Sequence, residues 1–199
     1  MNLPNKITLV RIFMIPVFVA VFFLDGILPY NYVISAAIFA LAACTDFIDG
    51  YIARKYNLVT NLGKFLDPIA DKVLVSTAMM LLLTLQTNLF APFAGLAKTL
   101  YIAMAVCVCI IMARELIISA FRQIAATSGL VMAADMLGKY KTTFQDISIL
   151  VLIVAADLSG KTQLVVGWVG FALFAIATIL TIWSGISYVV KNKQVLKSK

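Results

Sequence analysis

The sequence predicts an all-α, polytopic membrane protein: six transmembrane helices plus a short N-terminal interfacial segment, in a single domain over residues 1–199. Three observations carry this prediction. Hydrophobic residues make up 63% of the chain and the mean hydropathy is +1.03, whereas a soluble domain is roughly half apolar. Apolar runs of roughly 20 residues, enough to cross a bilayer core, alternate with short Gly-, Pro- and Asn-containing connections. Apart from Lys98 and Lys161, every Lys and Arg falls in alternate connections or near a terminus. By the positive-inside rule those connections and both termini face the cytoplasm, with the chain in the cell membrane.

The net charge of +7 is then a topology signal and an attraction to anionic lipid headgroups. No basic face interleaved with aromatics is present, which argues against a nucleic-acid partner. Cys44, Cys107 and Cys109 lie in apolar runs of a chain without histidine. That argues against a zinc site or a disulfide framework and reads as core filling.

Taken in order, residues 2–11 carry Pro4, Asn5, Lys6 and Arg11 ahead of an apolar run and read as the interfacial segment. Asn5, Thr8 and Arg11 are three apart and share a face. The first span covers about residues 8–28, ending near Asp25, Gly26 and Pro29, and the second about 31–56, apolar to Cys44 and acidic beyond it. A third begins near Asn61 to Gly63 and ends near Asn88. Pro68 in its first turns cannot donate a backbone hydrogen bond, so a local bend beside Asp67 is expected. After an external stretch with Pro92 and Gly95, the fourth span covers about 99–125, the fifth about 136–156 and the sixth about 162–190, followed by a basic tail.

The chemistry is concentrated in residues 46–71, DFIDGYIARKYNLVTNLGKFLDPIAD. On helices, Asp46, Asp49, Gly50 and Ala53 make one face, and Gly63, Asp67 and Asp71 another. Two helices meeting on these faces converge all four acids, which repel unless positive charge sits among them. Carboxylate oxygens favour hard divalent ions, Mg²⁺, Mn²⁺ or Ca²⁺, with Mg²⁺ first and Mn²⁺ next, and a pair of them neutralises four acids. Gly50, Ala53 and Gly63 leave the backbone bare, so a diphosphate can come close. Ionisable groups inside a membrane segment mark function by default, against the plainer reading of structural ion pairs.

The spacing D-x2-D-G-x2-A-R-x8-G-x3-D-x3-D, formed by Asp46, Asp49, Gly50, Ala53, Arg54, Gly63, Asp67 and Asp71 without deviation, resembles the signature of the CDP-alcohol phosphotransferase family. The resemblance implies a CDP-activated lipid substrate and metal ligation by Asp46, Asp49 and Asp67, with Asp71 as base and as a further ligand. It also implies nucleotide binding by Asn5 and Thr8, and a homodimer. For Thr8 and Arg11 a helix cap and an interface anchor remain equal alternatives. The CDP group would be held by Asn5, Thr8, Asp49, Gly50, Ala53, Arg54 and Gly63, with Arg54 on a diphosphate oxygen. In a chain without histidine a carboxylate is the available general base, and Asp71 is the choice.

A second basic cluster, Arg114, Arg122, Lys139 and Lys141, exceeds what the diphosphate needs and points to an anionic acceptor such as sn-glycerol 3-phosphate; membrane anchoring is the plainer reading for any one of them. Glu115 reads as orienting Arg114. Segments ARELIISAFR and GKYKTT resemble those of the family's bacterial members that transfer a phosphatidyl group from CDP-diacylglycerol to glycerol 3-phosphate. Alternatives are the same chemistry on phosphatidylglycerol, serine or inositol phosphate, or a divalent-cation transporter. A transporter would spread its acids along a path across the bilayer, whereas these sit near one face.

Overall fold

A computed structural model describes residues 2–56, 60–127 and 136–192, without the side chains of Phe47, Ala53, Arg54, Asn61, Lys64, Ala126 and Thr127. Each long apolar run forms a helix, and no strand occurs among the described residues: α1 is Leu3–Phe22, α2 Asn31–Lys55, α3 Asn61–Thr84, α4 Ala97–Thr127, α5 Met136–Ala155 and α6 Gly160–Lys191. Four segments are long and apolar enough to cross a membrane: Leu3–Phe22, Asn31–Ile52, Gln86–Ala125 and Gly160–Lys191. In α3 the charges of Asp67, Asp71 and Lys72, and in α5 those of Lys139, Lys141 and Asp146, lower the apolar character below that of the other four. At 1.5 Å per residue, α4 and α6, 31 and 32 residues long, extend about 45 Å or more, so their polar ends reach past a hydrocarbon core of about 30 Å.

The separate interfacial segment is not what forms. α1 is one helix from Leu3, with Pro4 in its first turn, where a missing N–H costs nothing. Asn5, Thr8 and Arg11 are buried in the bundle instead of lying along its surface. α1 ends at Phe22, earlier than expected, because the chain turns through Gly26 at φ 77° and Tyr30 at φ 55°. Asn31 ties this corner by donating to the Phe22 carbonyl at 2.9 Å. α3 runs through Pro68 as a single helix, and Pro68 faces outward. The cysteines do not fill the core: Cys44 and Cys109 are exposed and Cys107 is half-buried.

The core runs through every long helix, with Phe18, Phe39, Leu74, Leu82, Ile111, Ile149, Leu152 and Phe174 at its centre. Large apolar side chains such as Phe13, Ile27, Leu116 and Trp183 cover the outside, as a lipid-facing surface requires. α5 and α6 pack closely because Gly170 has no side chain: a Cβ there would lie 2.6 Å from Leu152 Cδ2, the small-residue contact typical of membrane helices. The chain runs up and down, so the starts of α1, α3 and α5 meet the ends of α2, α4 and α6. The other end is closed by Phe90 and Phe93 packed edge-on and tilted against Tyr101, Trp168 and Phe171. There Asn88 also donates to Asp25, and Gln163 donates to the Asn88 carbonyl.

Candidate active site

Up-and-down order places the motif acids of α2 and α3 beside the first turns of α1. Arg11, 0% exposed, reaches across: its Nη1 donates to Asp46 Oδ1 at 2.7 Å, its Nη2 to Asp49 Oδ2 at 2.5 Å, and its Nε to Thr45 Oγ1 at 3.0 Å. The Thr8 hydroxyl donates to Asp67 Oδ1 at 2.8 Å and lies 3.3 Å from Asp49 Oδ2. Asp46, Asp49 and Asp67 therefore gather around one guanidinium and one hydroxyl, and the repulsion expected among them is relieved inside the protein. Arg11 is neither a cap nor an interface anchor; it is the buried counter-charge of the motif.

α3 starts at Thr60, whose side chain accepts from the Gly63 N–H at 3.0 Å, an N-cap. The same hydroxyl donates to Asn5 Oδ1 at 2.9 Å. A Cβ on Gly63 would stand 3.0 Å from Asn5 Oδ1 and 3.3 Å from Thr60 Oγ1. The motif glycine thus lets α1 reach α3, and Asn5 straps the two together. Gly50 lies on the Asp46 and Asp49 side of α2. The side chains of Ala53 and Arg54 lie outside the described residues.

Asp71 stands one turn further into α3 and faces two cavities. The larger, of about 620 Å³, is lined by all four predicted acceptor cations, Arg114, Arg122, Lys139 and Lys141, together with Lys72 and Asp71. The smaller, of about 240 Å³, is lined by Asp46, Asp71, Gln145 and Asp146 among others. Asp71, Lys72, Glu115, Lys141 and Thr142 line both, so they form the wall between. The predicted acids thus fall into two adjoining groups joined by Asp46, which pairs with Arg11 and, 46% exposed, opens on the smaller cavity.

The cations are held in place by their neighbours. Arg114 donates to Glu115 Oε1 at 3.2 Å and to Ser184 Oγ at 2.8 Å. Glu115 also accepts from Lys141, which is 3% exposed. Arg122 donates to the Tyr188 hydroxyl at 3.1 Å and stacks 5.2 Å from the ring centroid. Lys72 donates to Ser119. Arg11 was read in the sequence only as a cap or an interface anchor and Lys72 only as a topology charge, while Gln145 and Asp146 went unread. A signal existed for the last two, since Gln145 follows Lys141 by four and Asp146 follows Lys139 by seven, each pair on one helical face.

The donor chemistry fits hard divalent ions: the gathered groups are carboxylate and hydroxyl oxygens, and the contacts described engage Oδ1 of Asp46, Oδ2 of Asp49 and Oδ1 of Asp67, leaving each a second oxygen outside them. Among the described residues, no three acidic or cysteine side chains surround one point closely enough to ligate an ion. Arg11 supplies the positive charge instead.

A helical bundle with apolar flanks, aspartates gathered at one end and a basic cavity beside them defines a membrane-embedded class of protein with its charged groups at one end. The chain belongs to the CDP-alcohol phosphatidyltransferase family, whose profile matches residues 1–183. It is 38% identical to the CDP-diacylglycerol--glycerol-3-phosphate 3-phosphatidyltransferase of Bacillus subtilis (strain 168) over 209 residues, covering 99% of this chain and 98% of that one. Proteins of the same name from Salmonella typhimurium and Rickettsia typhi are also 38% identical, each over 94% of this chain and 92% and 94% of their own.

Proposed function

We propose that this protein is an integral-membrane transferase that moves the phosphatidyl group of CDP-diacylglycerol to sn-glycerol 3-phosphate, giving phosphatidylglycerol phosphate and CMP. The observation that carries the reading is the position of Asp71, on the wall between the cavity holding the four cations and the cavity that Asp46 lines. The relatives' shared name supports the choice of donor and acceptor. In this reading all six long helices cross the cell membrane, and the charged end of the bundle and both termini lie in the cytoplasm, as the basic residues require. The domain spans 1–199, and the homodimer implied by the resemblance belongs to the same proposal.

Asp46, Asp49, Asp67 and Asp71 would hold two divalent cations, Mg²⁺ or Mn²⁺. Bound there, such ions supply charge neutralisation for the diphosphate and the leaving oxygen. The chain's own groups do the rest. Asn5, Thr8, Asp49, Gly50, Ala53, Arg54 and Gly63 hold the CDP head, and Arg114, Arg122, Lys139 and Lys141 hold the acceptor's phosphate through charge-assisted hydrogen bonds. Asp71 takes the proton of the acceptor's primary hydroxyl. That oxygen bonds to the phosphorus next to the diacylglycerol, the bond from this phosphorus to the bridging oxygen breaks, and CMP leaves with the electron pair.

The test is CMP release by purified protein given CDP-diacylglycerol with glycerol 3-phosphate, phosphatidylglycerol, serine or inositol phosphate in turn. Glycerol 3-phosphate is expected to dominate. If it stimulates no more than water does, the acceptor assignment fails. A cation transporter is disfavoured because the acids share one end of the bundle.

A further inference from the structure

Apart from the wall it shares, the smaller cavity has polar groups that neither the diphosphate nor the acceptor's phosphate calls for. Gln145 of α5 lines it and is 3% exposed. Among the described residues its Nε2 meets only the Met79 sulfur, at 3.6 Å, and its Oε1 is a buried acceptor without a hydrogen-bond partner. Leaving a buried polar atom unsatisfied is destabilising, and a methionine would fill the same space without that cost. The amide therefore calls for a partner from outside the chain. Whichever way the amide is turned, one of its polar atoms faces away from Met79.

The cavity's charge says what that partner is. Beyond Asp46 and Asp71, which are assigned to the ions, its lining carries Glu115 and Asp146 against Lys72 and Lys141, whereas the basic cavity next door adds Arg114, Arg122 and Lys139, so a phosphate is drawn to the basic cavity. Hydroxyl groups, which donate to carboxylates and amide oxygens without adding negative charge, suit it. An acceptor with a phosphate at one end and hydroxyls at the other can straddle the shared wall, its reacting oxygen against Asp71.

We propose that Gln145 and Asp146 set acceptor specificity by holding the non-reacting secondary hydroxyl of a polyol phosphate in the smaller cavity. This rests on the transferase reading and extends it from the acceptor's phosphate to its hydroxyls. The consequence is discrimination against an otherwise identical acceptor that lacks the secondary hydroxyl.

The experiment compares CMP release from CDP-diacylglycerol by the full-length protein with glycerol 3-phosphate and with 3-hydroxypropyl phosphate. Wild type is expected to favour the former roughly tenfold to a hundredfold in kcat/KM, the value of a well-placed hydrogen bond. Gln145→Met should lose most of that preference, falling on glycerol 3-phosphate while barely changing on the other. Asp146→Asn, which keeps size and one acceptor oxygen, should lose part of it. Because each preference is a ratio measured within one protein, it does not depend on how much of a variant folds. For a variant inert toward both, the ratio of the two acceptors' dissociation constants is read instead, with the same loss expected. Wild-type preference retained in both variants, or no preference in wild type, overturns the inference. Wild type inert toward both acceptors sinks the transferase reading itself.

Discussion

The two halves of the site solve the same problem, too much charge of one sign, in opposite ways. The acidic half is closed: Arg11 at 0% and Asp49 at 2% exposure are locked to one another, and Thr8 fills the space between Asp49 and Asp67. The basic half is open, its cations standing around a cavity of about 620 Å³ and tethered at its edge to Glu115, Ser119, Ser184 and Tyr188. The difference teaches that the basic half leaves its charge open, whereas the acidic half neutralises its own. The acidic half carries in Arg11 an internal counter-charge, which in the proposed reading a divalent ion would have to displace.

Three substitutions break or sharpen that contrast. The largest effect belongs to the residue on the boundary. Asp71→Asn should lower kcat about a thousandfold, within the span general bases contribute, while CDP-lipid affinity measured by equilibrium binding stays near wild type. Wild-type turnover in this variant would remove Asp71 from the base role. Next is Arg11→Met, which leaves Asp49 buried without its partner. Breaking such a pair costs about 3–5 kcal/mol, seen as a lower unfolding midpoint in detergent. Millimolar Mg²⁺ should restore more of that midpoint in the variant than it adds to wild type. Equal shifts in both would show that Arg11 does not stand in for a cation. Smallest is Arg122→Ala in the open half, expected to raise the KM for glycerol 3-phosphate roughly tenfold, the value of one hydrogen bond to a charged group, with the KM for CDP-diacylglycerol unchanged.

The order of helices was legible because hydropathy and turn residues report directly on burial in lipid. The motif acids were legible because their spacing is a helical spacing, and the four cations of the larger cavity because they cluster on either side of one connection, between α4 and α5. What sequence could not supply was tertiary partnership. Asn5, Thr8 and Arg11 read correctly as one face, but only the approach of α1 to α2 and α3 shows that this face meets the aspartates. The interfacial segment was misjudged for a related reason: the polar residues at 5, 8 and 11 look like a surface stripe until buried partners are found for them. Lys72 was read as a topology charge and Asp146 not read at all, since its seven-residue spacing from Lys139 is a weak signal beside that of the motif acids.

All of the ionisable groups that matter sit at one extremity of the bundle, while the opposite extremity is stapled by aromatic rings and the contacts of Asn88. In the proposed transferase reading, a lipid processed at such a place never has to cross the hydrocarbon. Its tails can stay anchored among their neighbours while its head is exchanged, so the product is left in the same leaflet from which its precursor was drawn, and any traffic to the far leaflet falls to other machinery.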